Sequence, residues 1–384
     1  MIHSASRPVI GLLATLLSTA PNYRGAGIHQ YSSRLLTHLP EQAPRFDYHA
    51  FVMDRGYTPP PGVSVQRPAW LPANPPGRIL WEQTRAAWES RRLALLHGFA
   101  YALPLISHIP TVVTVHDLTF ILFPEAFPQS KQRYLSYITA RSCRQARVVI
   151  ADSQATARDL QRYLNVPASK IQVIYTGVDD RYQLLPAEQV SAYRQRQGWP
   201  QRFILMVGTL EPRKNHLLLI EAYARYRQNA RHPLPLLIGG GKGWHFQHIF
   251  QQVQALGLED AVRFLGFVPW EELPWLYNAA TLFVYPSLYE GFGLPVAEAM
   301  RCGLPVITSN VSSLPEVAGD AALTVNPKDV DALAAAMLHL LEEAPERLQT
   351  MRTRGIHQAA RFTWERTAAQ TADVYTAVLN QTHG

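Results

Sequence analysis

Short apolar runs alternate with amphipathic stretches of helical period along this chain, and the alternation happens twice over. A run too short to be a helix, bounded by turn residues, reads as a buried strand. Strands separated by helices pair in parallel, under a helical cover on each face of the sheet. In the first half the pattern places strands over 9–14, 48–53, 93–97, 111–116, 148–151 and 171–175, with helices at 28–39 and 129–145 among those between them. In the second half strands fall at 203–207, 234–238, 262–265, 281–285, 305–308 and 322–325, and helices at 216–228, 246–256, 296–301 and 330–342. The fold class is therefore α/β, as two tandem Rossmann-like, doubly wound domains. Arranged in tandem, two such domains are expected to put the carboxyl ends of both sheets around one cleft, where open α/β sheets bind ligands.

A length of 384 residues suits two domains of similar size, and 47% hydrophobic residues supply two cores. The expected division is an N-terminal domain over 1–180, a linker over 181–200, a C-terminal domain over 201–362 and a final helix within 363–384. The linker is polar, contains Pro186 and ends in Gly198-Trp-Pro200; the final helix begins at Trp364 with Thr363 as its N-cap. The proline-rich patch over 59–76 reads as a long surface loop. The apolar run over 9–17 is interrupted at Gly11 and Thr15, which suits a first buried strand better than a signal peptide. No stretch reaches the roughly 18 uninterrupted apolar residues of a membrane-spanning helix. Two distant cysteines, Cys143 and Cys302, build neither a disulfide framework nor a zinc site, and fit a reducing cytoplasm. The net charge of +7 favours anionic partners: phosphates, acidic lipid headgroups or nucleic acid. The basic residues are dispersed and no aromatic-basic platform is visible, so nucleic acid is the least supported.

Chemistry concentrates in Glu290-Gly-Phe-Gly-Leu-Pro-Val-Ala-Glu298, which follows the strand over 281–285. Gly291 and Gly293 allow the backbone to approach a ligand closely, and Pro295 suits a helix start. Amides near Gly293 and Leu294 then present the positive end of the helix dipole to a phosphate or a sugar hydroxyl. Glu298 lies on a helix that is apolar nearly all round, so its carboxylate needs a partner. A vicinal diol serves, because each carboxylate oxygen accepts a hydroxyl proton. Two solvated glutamates at a helix start explain neither the glycines nor the apolar flanks.

After the first strand of the second half comes Gly208-Thr-Leu-Glu-Pro-Arg213-Lys214-Asn215. A helix expected from about Arg213 puts two cations where its dipole disfavours them, and a diphosphate accounts for both better than a solvated basic turn does. Gly25-Ala-Gly27 reads equally as a tight turn or as a loop under phosphates; it lacks the third glycine and the acid of a dinucleotide fingerprint. His116-Asp117 closes the strand over 111–116, where the His faces the expected cleft or, with the Asp, merely caps a turn. Gly239-Gly-Gly241-Lys242-Gly243 suits a phosphate contact or a flexible turn. Asp329-Val-Asp331 matches a metal-chelating pattern but opens an amphipathic helix, where Asp is favoured as a cap, so no metal site is assigned.

Together these residues resemble glycosyltransferase family 4, retaining enzymes of the GT-B fold, and most resemble its mannosyltransferase members. The resemblance runs through Gly25-Ala-Gly27-Ile28, Val115-His116-Asp117-Leu118-Thr119, Ala151-Asp-Ser153, Tyr175-Thr-Gly177-Val-Asp179, the Gly208 to Asn215 segment, Gly266-Phe-Val268, the Glu290 to Glu298 segment and Phe362-Thr-Trp364. It implies that Glu298 holds the ribose hydroxyls of a nucleotide. Glu290 and the backbone at Phe292, Gly293 and Leu294 then hold the donor sugar and diphosphate, while Arg213 and Lys214, helped by Thr209, stabilise the departing diphosphate. The backbone around Val268 meets the base, Gly27 lies under the phosphates, and His116 sits close to the donor sugar. The final helix is expected to pack back on the first domain.

The implied activity is transfer of a hexose, with retention of configuration, to a hydroxyl of a glycan or lipid-linked acceptor. The resemblance implies neither a metal nor a cofactor. His116-Asp-Leu-Thr-Phe120 with Phe123-Pro-Glu125 points to GDP-mannose as the donor, with a UDP-hexose the alternative. No first-domain nucleophile is evident, which favours front-face attack by the acceptor hydroxyl. Rivals on the same fold are a nucleotide-sugar epimerase, a phosphorylase and a non-catalytic binding subunit. Arg133, Arg141, Arg144 and Arg147 lie along one helix and its exit, either as a solvated face or as a peripheral contact with acidic membrane on the cytoplasmic side.

Overall fold

The computed structural model describes residues 7–18, 26–68 and 74–381. Its contacts divide the chain into two compact units, one made of Met1–Gly177 with Thr363–Gly384 and the other of Val178–Phe362. Each unit holds one parallel sheet. In the first, β1 (Val9–Leu13), β2 (Asp47–Phe51), β3 (Val63–Gln66), β4 (Leu95–Gly98), β5 (Thr111–Val115), β6 (Val148–Ala151) and β7 (Ile171–Val173) are ordered β3-β2-β1-β4-β5-β6-β7. In the second, β8 (Ile204–Val207), β9 (Leu236–Gly239), β10 (Val262–Gly266), β11 (Leu282–Tyr285), β12 (Val306–Ser309) and β13 (Leu323–Val325) are ordered β10-β9-β8-β11-β12-β13. Both orders reverse beside their first strand, so each sheet has a switch point, between β1 and β4 and between β8 and β11. Helices join most successive strands, as parallel pairing favours, while β2–β3 and β4–β5 are joined by irregular crossovers of about a dozen residues.

The expected strands form where the apolar runs placed them, within a residue or two. Thr111-Val-Val-Thr-Val115 is buried at all five positions, as a β-branched run in a sheet covered on both faces must be. The helices at 129–145 and 216–229 likewise match their periodicity. Two expectations need correction. The patch over 59–76, expected as a surface loop, contains the edge strand β3 and the start of the Pro75–Trp81 helix. Four residues give too short an alternation to stand out among prolines, while Asn74 caps the helix by accepting from the Gly77 amide at 2.9 Å. The segment over 181–200, expected as a linker, carries the Ala187–Arg196 helix and belongs to the second unit. There Leu185 N–H donates to Asn278 Oδ1 at 3.0 Å and Tyr193 stacks on Trp275 at 5.1 Å, so half-buried contacts hold what polar composition suggested was free.

The final helix, Trp364–Asn380, packs on the first sheet, with Thr363 capping it through the Arg366 amide at 3.2 Å. Trp364, Ala368, Ala372, Tyr375 and Val378 join the core built on Ile10, Leu12 and Leu35. The pairing is polar as well: His97 Nδ1 lies 2.7 Å from the Tyr375 hydroxyl and Thr367 Oγ1 donates to Tyr175 O at 2.8 Å. Among the described residues no helix is long and apolar enough to cross a membrane.

Candidate functional site

The β8–β11 switch point gathers three of the expected residues. After β8 the chain turns through Gly208 and Thr209 into a short 3-10 turn, Pro212–Lys214, and the long helix His216–Asn229 begins only beyond Asn215. The two cations therefore precede the helix and do not sit on its first turn, which corrects the dipole argument made for them. Asn215 breaks the run in the left-handed region, at φ +64°, a conformation asparagine tolerates. Its side-chain amide donates to Pro286 O at 3.0 Å and Pro327 O at 2.7 Å, tying the β8 exit to the β11 exit.

Glu290 is the centre of this arrangement. Its Oε1 accepts from Lys214 Nζ at 2.6 Å, Ser287 Oγ at 2.7 Å and the Tyr285 hydroxyl at 2.8 Å. Its Oε2 accepts from Arg213 Nη1 at 3.0 Å, and the same nitrogen donates to Tyr289 O at 2.6 Å. Arg213 also forks onto Glu211 Oε1, at 2.8 and 3.1 Å. Burial alone would raise the Glu290 pKa, but Arg213, Lys214 and the hydroxyl donors outweigh it and hold the carboxyl at about 2. Burial and the Arg213 charge pull the Lys214 pKa down, against the carboxylates. The Glu290 backbone is fixed in turn: Ser312 Oγ accepts its amide at 2.9 Å, and Ser313 Oγ donates to Glu290 O at 2.9 Å and Phe292 O at 2.7 Å. Tyr285, Ser287, Ser312 and Ser313 were missed by sequence reasoning, because a hydroxyl in a serine-rich turn carries no motif of its own.

Downstream, Gly293 takes φ +104° and heads the helix Leu294–Arg301, a conformation only glycine enters without strain. The amides of Gly293 and Leu294 thus stand at a helix start, as expected. Phe292 is buried, its ring edge-on to Phe362 at 5.2 Å, so that position contributes backbone and packing.

Glu298 occupies a different surrounding. Tyr277 donates its hydroxyl to Oε2 at 3.1 Å, and Tyr182 bonds to the same carboxylate. Burial pushes the Glu298 carboxyl up to about 7, against those two hydroxyls, which pull it down. The partner that the apolar helix demanded is therefore present in the protein before any ligand arrives.

Val268 leans a methyl group over the end of β9 at Gly239, and Thr209 is half-buried in the β8 exit. The glycine tract after β9 has a backbone explanation. A Cβ at Gly240 would lie 1.9 Å from Gly208 O, and Leu210 N–H donates to Gly241 O at 2.9 Å. The tract lets two strand exits lie against each other. Asp329 caps the helix Val330–Leu338 by accepting the Ala332 amide at 2.9 Å, the cap position expected of it, and Asp331 pairs with Arg225.

His116 and Gly27 lie in the first unit. Gly27 is the second residue of the helix Ala26–Gln42 and is exposed; Gly25 lies outside the described residues. His116 commits both ring nitrogens to the protein, Nδ1 to Asp152 Oδ2 at 2.6 Å and Nε2 to Phe99 O at 2.9 Å. Burial works against a charged ring, but the Asp152 carboxylate leads a set of contacts that raise its pKa overall. A carbonyl and a carboxylate both accept, so this geometry suits the imidazolium with two N–H donors. Tyr31 closes over the ring edge-on at 4.7 Å. Asp117 accepts the Thr119 amide at 2.9 Å, which makes it the turn cap. Asp152 was visible in Ala151-Asp-Ser153 but carried no role there.

Family models match most of the chain. Residues 26–182 match the family model described as Glycosyltransferase Family 4, and residues 190–358 match that of Glycosyl transferases group 1. The O-antigen chain mannosyltransferase B of Escherichia coli is 38% identical over 294 residues, 76% of this chain and 77% of that one. Sucrose-phosphate synthase from Thermosynechococcus elongatus superposes with a TM-score of 0.78 at 23% identity, covering 98% of this chain and 100% of that one. Anabaena HepE in complex with UDP and glucose gives 0.74 at 23% identity, covering 96% and 99%. At these identities the two structures establish the fold, two Rossmann-like units of the GT-B type.

Proposed function

The chain belongs to glycosyltransferase family 4, with a group 1 glycosyl transferase domain in its second half, and from that premise we propose that it is a retaining, metal-independent mannosyltransferase. It is a hexosyltransferase by family. The donor, the stereochemistry and the acceptor are our reading. The observation that carries this reading is the Arg213–Lys214–Glu290 cluster beside a helix start at a switch point.

Departure of a nucleoside diphosphate builds charge on phosphate oxygens. Two cations already fixed in position, with amides at a helix start, stabilise that charge more in the transition state than in the ground state. Glu290 keeps the cations in place and turns a carboxylate to the hexose. Glu298, deprotonated, accepts the ribose hydroxyls, and Val268 meets the base. Arg213 and Lys214 do the electrostatic work that a divalent cation does in other sugar transferases, so neither metal nor cofactor is required. With no carboxylate nucleophile assigned, the acceptor hydroxyl attacks from the face the diphosphate leaves, and its proton passes to the leaving phosphate.

The donor is GDP-mannose, in keeping with the mannosyltransferase named above, with a UDP-hexose as the alternative. The acceptor is a glycan or lipid-linked sugar, and nucleic acid is not a partner. Arg133, Arg141 and Arg144 are exposed on the helix Gln129–Gln145, with Arg147 exposed just beyond it, and Tyr137 stands 62% exposed among them. Basic residues around an aromatic one suit a peripheral contact with acidic lipid on the cytoplasmic face. Incubation with GDP-mannose and a mannoside acceptor in EDTA, followed by NMR of the product's anomeric proton, tests the reading. An α-linked product from the α-linked donor is expected; a β-linked product, or activity only with metal restored, contradicts it.

A further inference from the structure

The loop that leaves β10 carries an exposed aromatic side chain outside the cluster at Glu290. Trp270 stands 47% exposed there, just ahead of the helix Leu273–Ala279. The Arg181 guanidinium lies over its ring, with Cζ 3.6 Å from the centroid, which is a stacking distance. Arg181 is held a second time by Asp179, whose Oδ1 accepts its Nε at 3.0 Å and its backbone amide at 3.1 Å. Nη1 and Nη2 are left as a two-pronged donor, and neither bonds to any of the described residues. The side chain keeps 25% of its surface open to solvent, so a ligand can reach the fork. Pinned at Nε and stacked on an indole, this fork is oriented before any ligand arrives.

Position decides which part of a nucleotide meets the fork. Tyr182, the next residue, bonds to the Glu298 carboxylate, and the Asp179 and Arg181 charges act on that carboxyl. Arg213 and Lys214 act on Glu290 instead. With ribose at Glu298 and phosphates towards Arg213 and Lys214, the base is the part left on the Arg181 side. A base paired edge to edge with the guanidinium is coplanar with it and continues the same layer over Trp270. Guanine presents two adjacent acceptors, O6 and N7, which match a paired fork. Adenine sets an amino donor beside N7, and uracil separates its two carbonyl oxygens by an N–H. We propose that Arg181 and Trp270 determine which base the donor carries, and that they select guanine. The proposal rests on the nucleotide-sugar reading, in which Glu298 holds the ribose, and it decides between the two donors named there.

The test uses the full chain and calorimetric titration with GDP, UDP, ADP and 7-deaza-GDP, whose base lacks the N7 acceptor. Wild type is compared with Arg181→Lys, which keeps the charge and loses the fork, and with Trp270→Ala at the half-exposed position. Wild type is expected to bind GDP about tenfold or more tighter than each of the other three. In Arg181→Lys the GDP affinity should fall about tenfold, UDP should bind as before, and the gap between GDP and 7-deaza-GDP should close. Trp270→Ala should weaken GDP by about tenfold through lost stacking. An arginine that only braces the chain would weaken every nucleotide alike, and that result overturns the proposal. So does a wild type that binds UDP as tightly as GDP, while leaving the donor reading intact. Unchanged GDP affinity in Trp270→Ala overturns the role given to the tryptophan. Binding of none of the four nucleotides by wild type removes the donor reading and the proposal with it.

Discussion

The Lys214 ammonium and the Glu290 carboxylate form a buried ion pair at 2.6 Å, and the same carboxylate meets Arg213 through its other oxygen. Removing the charge from Glu290 leaves two cations facing each other with little solvent between them. Glu290→Gln is expected to cost about 3–5 kcal/mol of stability, the usual consequence of stripping one partner from a buried pair. Urea denaturation followed by circular dichroism measures it. A loss under about 1 kcal/mol would mean that the cations relax into water.

If Glu298 holds the donor's ribose as proposed, donor binding depends on pH. Its carboxyl, pushed up to about 7, is partly protonated at neutral pH, and only the carboxylate accepts protons from both ribose hydroxyls. Donor affinity should rise as pH goes from 6 to 8, by up to about tenfold per unit below the pKa, and Glu298→Gln should show weak, pH-independent binding. The folded protein holds this proton more tightly than the unfolded chain does. The associated stability is therefore complete below about 4.5 and is lost as pH rises through about 7. Calorimetric titration at several pH values checks the affinity.

His116 is held as a cation by Asp152, with its pKa raised. Because the folded pKa lies above the unfolded one, the pair stabilises the protein below pH 6.5, and that contribution fades as pH rises through the raised value. In Asp152→Asn the largest contacts that raise the pKa are lost while burial, Asp117 and the Phe99 carbonyl remain, so the ring's pKa should fall below that of the wild type. An NMR titration of the His116 Cε1–H resonance in both proteins follows the change.

Tyr375 anchors the last helix through His97, which burial and the nearby His116 charge hold down at about 3. Tyr375→Phe leaves the buried His97 Nδ1 without its partner and should cost about 1–3 kcal/mol, readable by equilibrium unfolding. A neutral buried histidine stabilises the fold above pH 6.5, and the contribution is lost as pH falls towards 3.

The fold was largely legible because alternating apolar runs leave few alternatives, and the final helix announced itself through Thr363 and Trp364. What could not be read were features decided by distant residues. The helix Ala187–Arg196 has weak amphipathicity and is held by the partners of Leu185 and Tyr193. β3 gains its meaning only from pairing with β2. The candidate site was legible as charges and glycines, since Arg213, Lys214, Glu290 and Gly293 stand out in sequence. Its supports were not: Tyr277 and Tyr182 reach Glu298 from separate segments, and Ser312 and Ser313 reach the Glu290 backbone from beyond β12.

The central claim is that the carboxyl ends of β8 and β11 hold a nucleotide sugar. Binding of GDP-mannose and UDP-hexoses in the presence of EDTA, by thermal shift and calorimetry, tests it most directly. One of them should stabilise the wild type and Asp329→Ala equally, and should fail to stabilise Glu298→Ala. Binding that survives in Glu298→Ala, or a wild type that responds to none of these donors, would contradict the account.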